Sequence, residues 1–271
     1  MIALFDSGIG GLTVLKPVLK ELPQYDYIYL GDSARSPYGP RSPETIKKFS
    51  EEAVEYLFNR GVTLIIFACN TASSVALRHV QQKYLKGDKE QDRKILGVLI
   101  PLAEEVTKQT KTNRVGVVGT KATISSQSYN SEIHKINPET KVYSQTCPLL
   151  VPIIEESWHT KPEATSILRK YLKPLKSTNI DTLILGCTHY PIMHKDFQKY
   201  MGKKTKVFDT GEVVAKSLAD YLERHPEIEK KLSKSTPKKR IFLTTDDPAK
   251  MKTFAEKHLG QKIKMPEKIT L

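Results

Sequence analysis

Two short apolar runs in this chain each end in a cysteine that small hydroxyl or amide side chains follow. The first run covers residues 64–68 and leads to Cys69, and the second covers residues 183–186 and leads to Cys187. Runs of this length predict buried parallel strands, and open α/β sheets bind ligands at the carboxyl ends of such strands. Two thiols delivered in this way indicate a base on each face of one carbon, as inversion of a stereocentre without a cofactor requires.

Strand-like and helix-like segments alternate along the chain, which predicts an α/β fold with mainly parallel sheets flanked by helices. The length of 271 residues fits one large domain or two smaller ones. Similar landmarks recur, because 63 positions separate Asp6 from Cys69 and 67 positions separate Thr120 from Cys187. This spacing predicts two related halves.

Local signals predict the ends of several elements. Ser42 is the predicted N-cap of a helix whose first residue is Pro43. Another helix is predicted to begin at about Ser125, and residues 87–94 are predicted to form a polar loop near the first domain boundary. Further predicted elements are helices over residues 161–175 and 248–258 and a late strand over residues 241–245.

Composition excludes several classes of protein. Hydrophobic content of 39% and charged content of 27% are ordinary for a globular protein. No apolar run approaches the roughly 18 residues of a membrane span, and the first residues lack the features of a signal peptide. We therefore expect a cytoplasmic protein with no membrane association.

The formal charge of +13 has two interpretations. It fits a protein that binds a polyanion, but a lysine-rich surface with no special role is the favoured interpretation. Part of the excess lies in residues 230–240, which read as a solvated loop without aromatic side chains to stack on bases. A nucleic-acid or gyrase-type partner stays open as an alternative that no motif supports.

The three cysteines, Cys69, Cys147 and Cys187, do not predict a disulfide framework. No CxxC pair is present, so we expect no metal site. Cys147 lacks a following turn of small residues, and we interpret it as a buried structural thiol. We expect all three thiols to be reduced.

Three motifs carry candidate chemistry. The turn over residues 6–11 contains three glycines between a strand and a helix, and it fits a small-anion or amino-acid site, a nucleotide site or a plain tight turn. Cys69 precedes a predicted helix, where a thiol becomes more reactive. His189 lies two residues after Cys187, and this pair fits a proton-transfer pair, a metal fragment or the nucleophile and base of a Cys–His hydrolase.

Together these motifs closely resemble those of the glutamate racemases of the aspartate/glutamate racemase superfamily. The resemblance covers essentially the whole chain. It depends on the order and spacing of six segments, namely residues 6–11, 31–39, 68–73, 119–123, 151–156 and 186–191.

The resemblance implies two α/β domains that face each other across a central cleft, each contributing one cysteine. The first domain comprises residues 1–97 together with 208–271 and carries Cys69. The second comprises residues 98–207 and carries Cys187. The implied reaction is interconversion of L- and D-glutamate without a cofactor, which supplies D-glutamate for peptidoglycan precursors, and we expect a homodimer.

The resemblance also implies roles for single residues. Cys69 and Cys187 are the catalytic thiols, assisted by Asp6 and His189 respectively. Glu155 matches the family's carboxylate near that histidine, with Glu156 as the neighbouring alternative. Substrate contacts are expected from Asp6, Ser7, Tyr38, Gly39, Asn70, Thr71, Thr120, Thr123, Thr188 and His189.

Overall fold

The computed structural model describes residues 1–85 and 93–271. In chain order, the strands are β1 (Ile2–Asp6), β2 (Tyr27–Gly31), β3 (Leu64–Phe67), β4 (Lys94–Gly97), β5 (Arg114–Gly119), β6 (Lys141–Thr146), β7 (Thr182–Gly186), β8 (Lys206–Phe208), β9 (Arg240–Thr244) and β10 (Glu267–Lys268).

The helices flank these strands. In chain order they are α1 (Leu12–Glu21), α2 (Pro43–Asn59), α3 (Asn70–Val75), α4 (Leu77–Tyr84), α5 (Leu99–Gln109), α6 (Lys121–Ser125), α7 (Ser128–Ile136), α8 (Leu150–Glu155), α9 (Pro162–Lys176), α10 (His194–Met201), α11 (Thr210–Arg224), α12 (Pro226–Glu229) and α13 (Pro248–Leu259).

The strands form two parallel sheets. One has the order β10-β9-β2-β1-β3-β4 and the other the order β6-β5-β7-β8. The sub-order β2-β1-β3-β4 matches β6-β5-β7-β8 strand for strand, so the two halves suggested by the sequence spacing share a topology. After β8 the chain leaves the second sheet and adds β9 beside β2 of the first sheet and β10 beside β9. The predicted α/β class with two parallel sheets is confirmed.

Apolar side chains cover both faces of each sheet. One cluster of buried residues joins inner-facing positions of the two sheets, such as Leu4 and Ile184, through α1, α5 and α11. Two further clusters lie on the outer faces, one containing Phe5 and the other Leu185. Burial on both faces explains why the strands read as continuous apolar runs. Within residues 1–85 and 93–271, no helix has both the length and the apolar character of a membrane span.

Most predicted element boundaries are confirmed to within a few residues. Ser42 caps α2 by accepting a hydrogen bond from the backbone N–H of Thr45, and Pro43 is the first helical residue. The helix predicted from about Ser125 corresponds to α7, which begins at Ser128, and the short α6 that begins after Thr120 was not predicted. The hydroxyl of Thr120 accepts from the Thr123 N–H and so starts α6 early. Gln127, in the left-handed conformation, separates α6 from α7.

The polar loop predicted over residues 87–94 lies largely outside the described residues. Lys94, its predicted last residue, is instead the first residue of β4 and pairs with Leu64. The lysine-rich segment over residues 230–240 does connect α12 to β9 as predicted. Buried Asp26 holds it by accepting from the Ser235 hydroxyl at 2.6 Å and the Lys239 N–H at 2.8 Å.

Candidate active site

Both cysteines follow the carboxyl ends of central strands, as predicted. Cys69 lies two residues beyond β3, which pairs with β1 so that Phe5 and Phe67 are register partners. Cys187 directly follows β7, which pairs with β5 so that Gly119 and Gly186 are partners. Each thiol is buried, with 4% of Cys69 and 6% of Cys187 exposed. The edge of each sheet that typically binds ligands therefore presents one enclosed thiol.

Cys69 is the N-cap of α3. Its Sγ accepts a hydrogen bond from the Ala72 N–H at 3.4 Å and donates to the Ser7 hydroxyl at 3.4 Å. Burial, together with the charge of Asp6, raises the pKa of the Cys69 thiol to about 12 despite the opposing effect of these hydrogen bonds. In this conformation Cys69 is a protonated thiol.

Asp6 ends β1 and is fully buried. One carboxylate oxygen accepts from the Gly8 N–H at 3.0 Å, and the other accepts from the Thr188 hydroxyl at 3.4 Å. Burial raises the pKa of Asp6, while the charge of His189 and hydrogen bonds from the turn oppose the increase. Asp6 therefore contacts the Cys187 segment through Thr188, and its charge also acts on Cys69.

Cys187, His189 and Glu155 form a chain of side chains. The imidazole Nδ1 of His189 lies 3.9 Å from Cys187 Sγ, and its Nε2 donates to Glu155 Oε1 at 3.0 Å. Burial lowers the pKa of His189, but hydrogen bonds to Cys187 and Glu155 outweigh this effect and raise it to about 10. The hydrogen bond from His189 lowers the pKa of Glu155. At neutral pH, a positively charged imidazolium thus lies beside Cys187.

The glycine turn over residues 7–11 packs directly against the second cysteine segment. A Cβ on Gly10 would lie 2.4 Å from the Thr188 hydroxyl and 2.6 Å from the His189 ring. The Thr13 hydroxyl lies 2.9 Å from the Gly10 carbonyl and 2.7 Å from the Thr188 carbonyl. Close approach therefore explains this glycine. Neither Gly8 nor Gly10 has a positive φ.

Three threonine hydroxyls form a second link between the halves. Thr71 lies 2.9 Å from Thr120 and 3.2 Å from Thr123, measured between hydroxyl oxygens, and Thr120 lies 3.0 Å from Thr123. Gly39 packs on this group, since a Cβ there would lie 2.7 Å from the Thr120 Cβ. The Tyr38 hydroxyl donates to Asp32 instead of joining the group. The hydroxyl cluster offers several donors to one anionic group.

Asn70 follows Cys69 and is 1% exposed. Its side-chain carbonyl accepts a hydrogen bond from the Tyr129 hydroxyl at 2.6 Å, and its amide nitrogen has no hydrogen-bond partner within residues 1–85 and 93–271. Sequence reasoning singled out neither Tyr129 nor Thr13. Tyr129 lies 59 positions from Asn70, so no local pattern could indicate the contact.

The residues predicted from the sequence as a site lie around the segments that carry Cys69 and Cys187. Ser7 contacts Cys69, Asn70 contacts Tyr129, and Thr71 contacts Thr120. Of the two adjacent glutamates, Glu155 contacts His189, whereas Glu156 is exposed. In the described parts of the chain, no three His, Cys, Asp or Glu side chains converge as metal ligands would.

Comparison with known proteins shows the family of this chain. The family model described as "Asp/Glu/Hydantoin racemase" matches residues 13–218, a span that includes both cysteines but not Asp6 or Ser7. The chain belongs to this racemase family, on its glutamate racemase branch.

Individual relatives extend over the whole chain. A glutamate racemase from Geobacter metallireducens is 40% identical over 262 residues, which cover 97% of this chain and 93% of the relative. The crystal structure of a glutamate racemase isoform from Bacillus anthracis has a TM-score of 0.91 at 34% identity and covers 100% of this chain and 97% of that one. The glutamate racemase from Francisella tularensis, solved in complex with D-glutamate, has a TM-score of 0.88 at 36% identity, covering 99% and 97%.

Proposed function

We propose that this protein interconverts L- and D-glutamate by proton transfer at the α-carbon between Cys69 and Cys187, without a cofactor. The observation that carries the proposal is the paired geometry of the thiols. Each follows a central parallel strand, and each has its own ionisable neighbour, Asp6 near Cys69 and His189 near Cys187. The choice of glutamate as substrate is supported by the relatives named glutamate racemase, one of which was solved with D-glutamate.

The proposed reaction has two proton transfers. The thiolate form of one cysteine takes the α-proton, which leaves a planar carbanion, and the thiol of the other cysteine donates a proton to the opposite face. Each turnover exchanges the protonation states of the two cysteines, so the enantiomer bound decides which one acts as base. The α-proton is a weak acid, and its removal depends on electrostatic stabilisation in a site that excludes water.

The ionisable neighbours suit opposite tasks. Asp6, with its raised pKa, is placed to accept the proton of the Cys69 thiol. His189, protonated at neutral pH, is placed to return a proton to Cys187, while Glu155 holds the imidazole in position. The substrate's ammonium group adds positive charge near both thiols, and a nearby positive charge favours a thiolate.

Substrate binding is proposed for the remaining residues of the site. A substrate with two carboxylates and one ammonium needs several donors and at least one acceptor. The hydroxyls of Ser7, Thr71 and Thr188, together with the amide of Asn70, provide donors close to the cysteines. Asp6 provides the acceptor. Further proposed contacts come from Tyr38, Gly39, Thr120, Thr123 and His189.

We also propose the division into two domains, residues 1–97 with 208–271 and residues 98–207. Because both thiols are almost inaccessible, substrate entry requires the two halves of the site to separate. Hydrogen bonds such as those from Thr188 to Asp6 and from Thr13 to Thr188 join the halves at the site, next to the apolar cluster that the two sheets share. We further propose a cytoplasmic homodimer that supplies D-glutamate for peptidoglycan precursors.

Isotope exchange tests the proposed activity. The purified protein is incubated with L-glutamate in D₂O, with a chelator and no added cofactor, while optical rotation and the α-proton NMR signal are recorded. We expect rotation to fall to zero as deuterium enters the α-position. A folded protein that leaves L-glutamate, D-glutamate and L-aspartate unexchanged would refute the proposal.

A further inference from the structure

We propose that Tyr129 is a positioning residue that fixes the side-chain amide of Asn70, so that its NH₂ group is held toward a carboxylate of the substrate. This inference rests on the proposed function. Tyr129 lies on α7, outside every motif that the sequence singled out.

Tyr129 touches the segments of both cysteines. Its hydroxyl lies 2.6 Å from the side-chain oxygen of Asn70, the residue after Cys69. Its ring packs against Gly186, the residue before Cys187, where an added Cβ would lie 3.2 Å from the ring. Only 2% of Tyr129 is exposed, and burial raises the pKa of its phenol, so the hydroxyl keeps its proton and acts as a donor.

This hydrogen bond determines the orientation of the Asn70 amide. With the Tyr129 hydroxyl donating to the oxygen, one buried group, the amide nitrogen, is left without a partner. The flipped orientation would leave two groups unsatisfied, because the amide oxygen and the phenol proton would both lose their partners. Buried polar groups without partners are costly, so the first orientation is favoured.

The amide nitrogen of Asn70, the residue after Cys69, is then a buried donor without a partner among the described residues. Its two N–H groups are suited to an acceptor brought in by the ligand. Among the groups of glutamate, the carboxylates are acceptors and bind such donors most strongly, because the acceptor is charged. Tyr129 thus acts on the substrate through Asn70 without touching it.

The first test compares two tyrosine variants. Tyr129→Phe removes the hydroxyl that orients Asn70, and we expect a loss of about tenfold in kcat/KM for glutamate, mainly through a higher KM. Tyr27→Phe is the matched control, because Tyr27 is equally buried and donates to the Leu22 carbonyl at 2.8 Å, remote from the cysteines. We expect this control to lose similar stability while keeping wild-type kinetics.

A double-mutant cycle separates positioning from a merely structural role. In an Asn70→Ala background the amide is absent, so Tyr129→Phe should cause no further loss in kcat/KM. Independent, multiplicative losses would overturn the inference. A second measurement needs no variant. In the wild-type protein, the side-chain NH₂ signals of Asn70 should shift when D-glutamate saturates the site, and unchanged signals would also overturn it.

The outcomes distinguish this inference from the proposed function. If wild-type protein does not racemise glutamate, both fail. If wild-type protein racemises glutamate and Tyr129→Phe has the kinetics of Tyr27→Phe, only the role of Tyr129 fails.

Discussion

Replacing Glu155 by glutamine should lower the pKa of His189 while leaving the shape of the site intact. Glutamine keeps an oxygen that accepts the His189 Nε2 hydrogen bond, which is 3.0 Å long, but it removes the negative charge. A hydrogen bond between charged groups contributes about 1.5–3 kcal/mol. At 1.36 kcal/mol for each pKa unit, the pKa of His189 should fall by about one to two units.

The titration is measurable by NMR of histidine-labelled protein. The chain has seven histidines, and a His189→Asn variant assigns the relevant signal. In the wild-type protein we expect His189 to titrate near the raised pKa of about 10. In Glu155→Gln the titration should move lower, and the pH above which racemisation declines should move with it.

Glu156→Gln provides the matched control. This substitution removes the same negative charge. Glu156 is exposed, however, and the hydrogen bond of His189 is made to Glu155. We expect the titration of His189 to stay at its wild-type position. An unchanged titration in Glu155→Gln, or an equal shift in both variants, would refute the reasoning.

The interaction of His189 with Glu155 also makes the stability of the fold depend on pH. The folded-state pKa of His189, about 10, is above the ordinary histidine value of 6.5. Its protonation therefore stabilises the fold fully below pH 6.5, and this contribution is lost as the pH rises toward 10. In Glu155→Gln the loss should be complete at a lower pH, as urea unfolding at a series of pH values will measure.

Two further predictions concern other residues. Cys69→Ser should abolish racemisation, yet retain proton exchange or elimination from a suitable analogue through Cys187; full racemase activity in a chiral assay would contradict the two-thiol scheme. Asp26→Ala should lower the free energy of unfolding by about 3 kcal/mol at neutral pH, because buried Asp26 accepts several hydrogen bonds from the loop over residues 230–240. Those bonds hold the pKa of Asp26 below its usual range, so its contribution is present above about pH 4 and disappears on acidification; a difference in urea unfolding that persists in acid would contradict this.

The sequence predicts the strands and the positions of the two thiols at their ends well, because both depend on local features. The apolar runs before Cys69 and Cys187 are buried on two faces, so burial and chain direction together determine where each thiol emerges. The N-cap at Ser42 is equally local, since its partner is three residues away. The repeated spacing also predicts a real repeat, visible in the matching strand orders.

What the sequence could not predict depends on contacts between distant segments. The choice between Glu155 and Glu156 depends on which of them α8 turns toward His189, and neighbours in sequence do not distinguish the two. Thr13 is 175 positions from Thr188, and only the packing of α1 against the second cysteine segment brings them together. The need for glycine at position 10 has the same origin, because the Thr188 and His189 side chains that a Cβ there would meet come from the other half.

The central claim, a separate thiol for each face of the α-carbon, is tested most directly by early isotope content in D₂O. L-glutamate is incubated with the protein, and the reaction is stopped after a few per cent conversion. The D-glutamate product and the remaining L-glutamate are separated, and their α-deuterium is measured by mass spectrometry. Two thiols predict product that carries solvent deuterium, while the remaining L-glutamate keeps its protium. Product that retains the original α-proton would show that one base serves both faces, and would contradict the account.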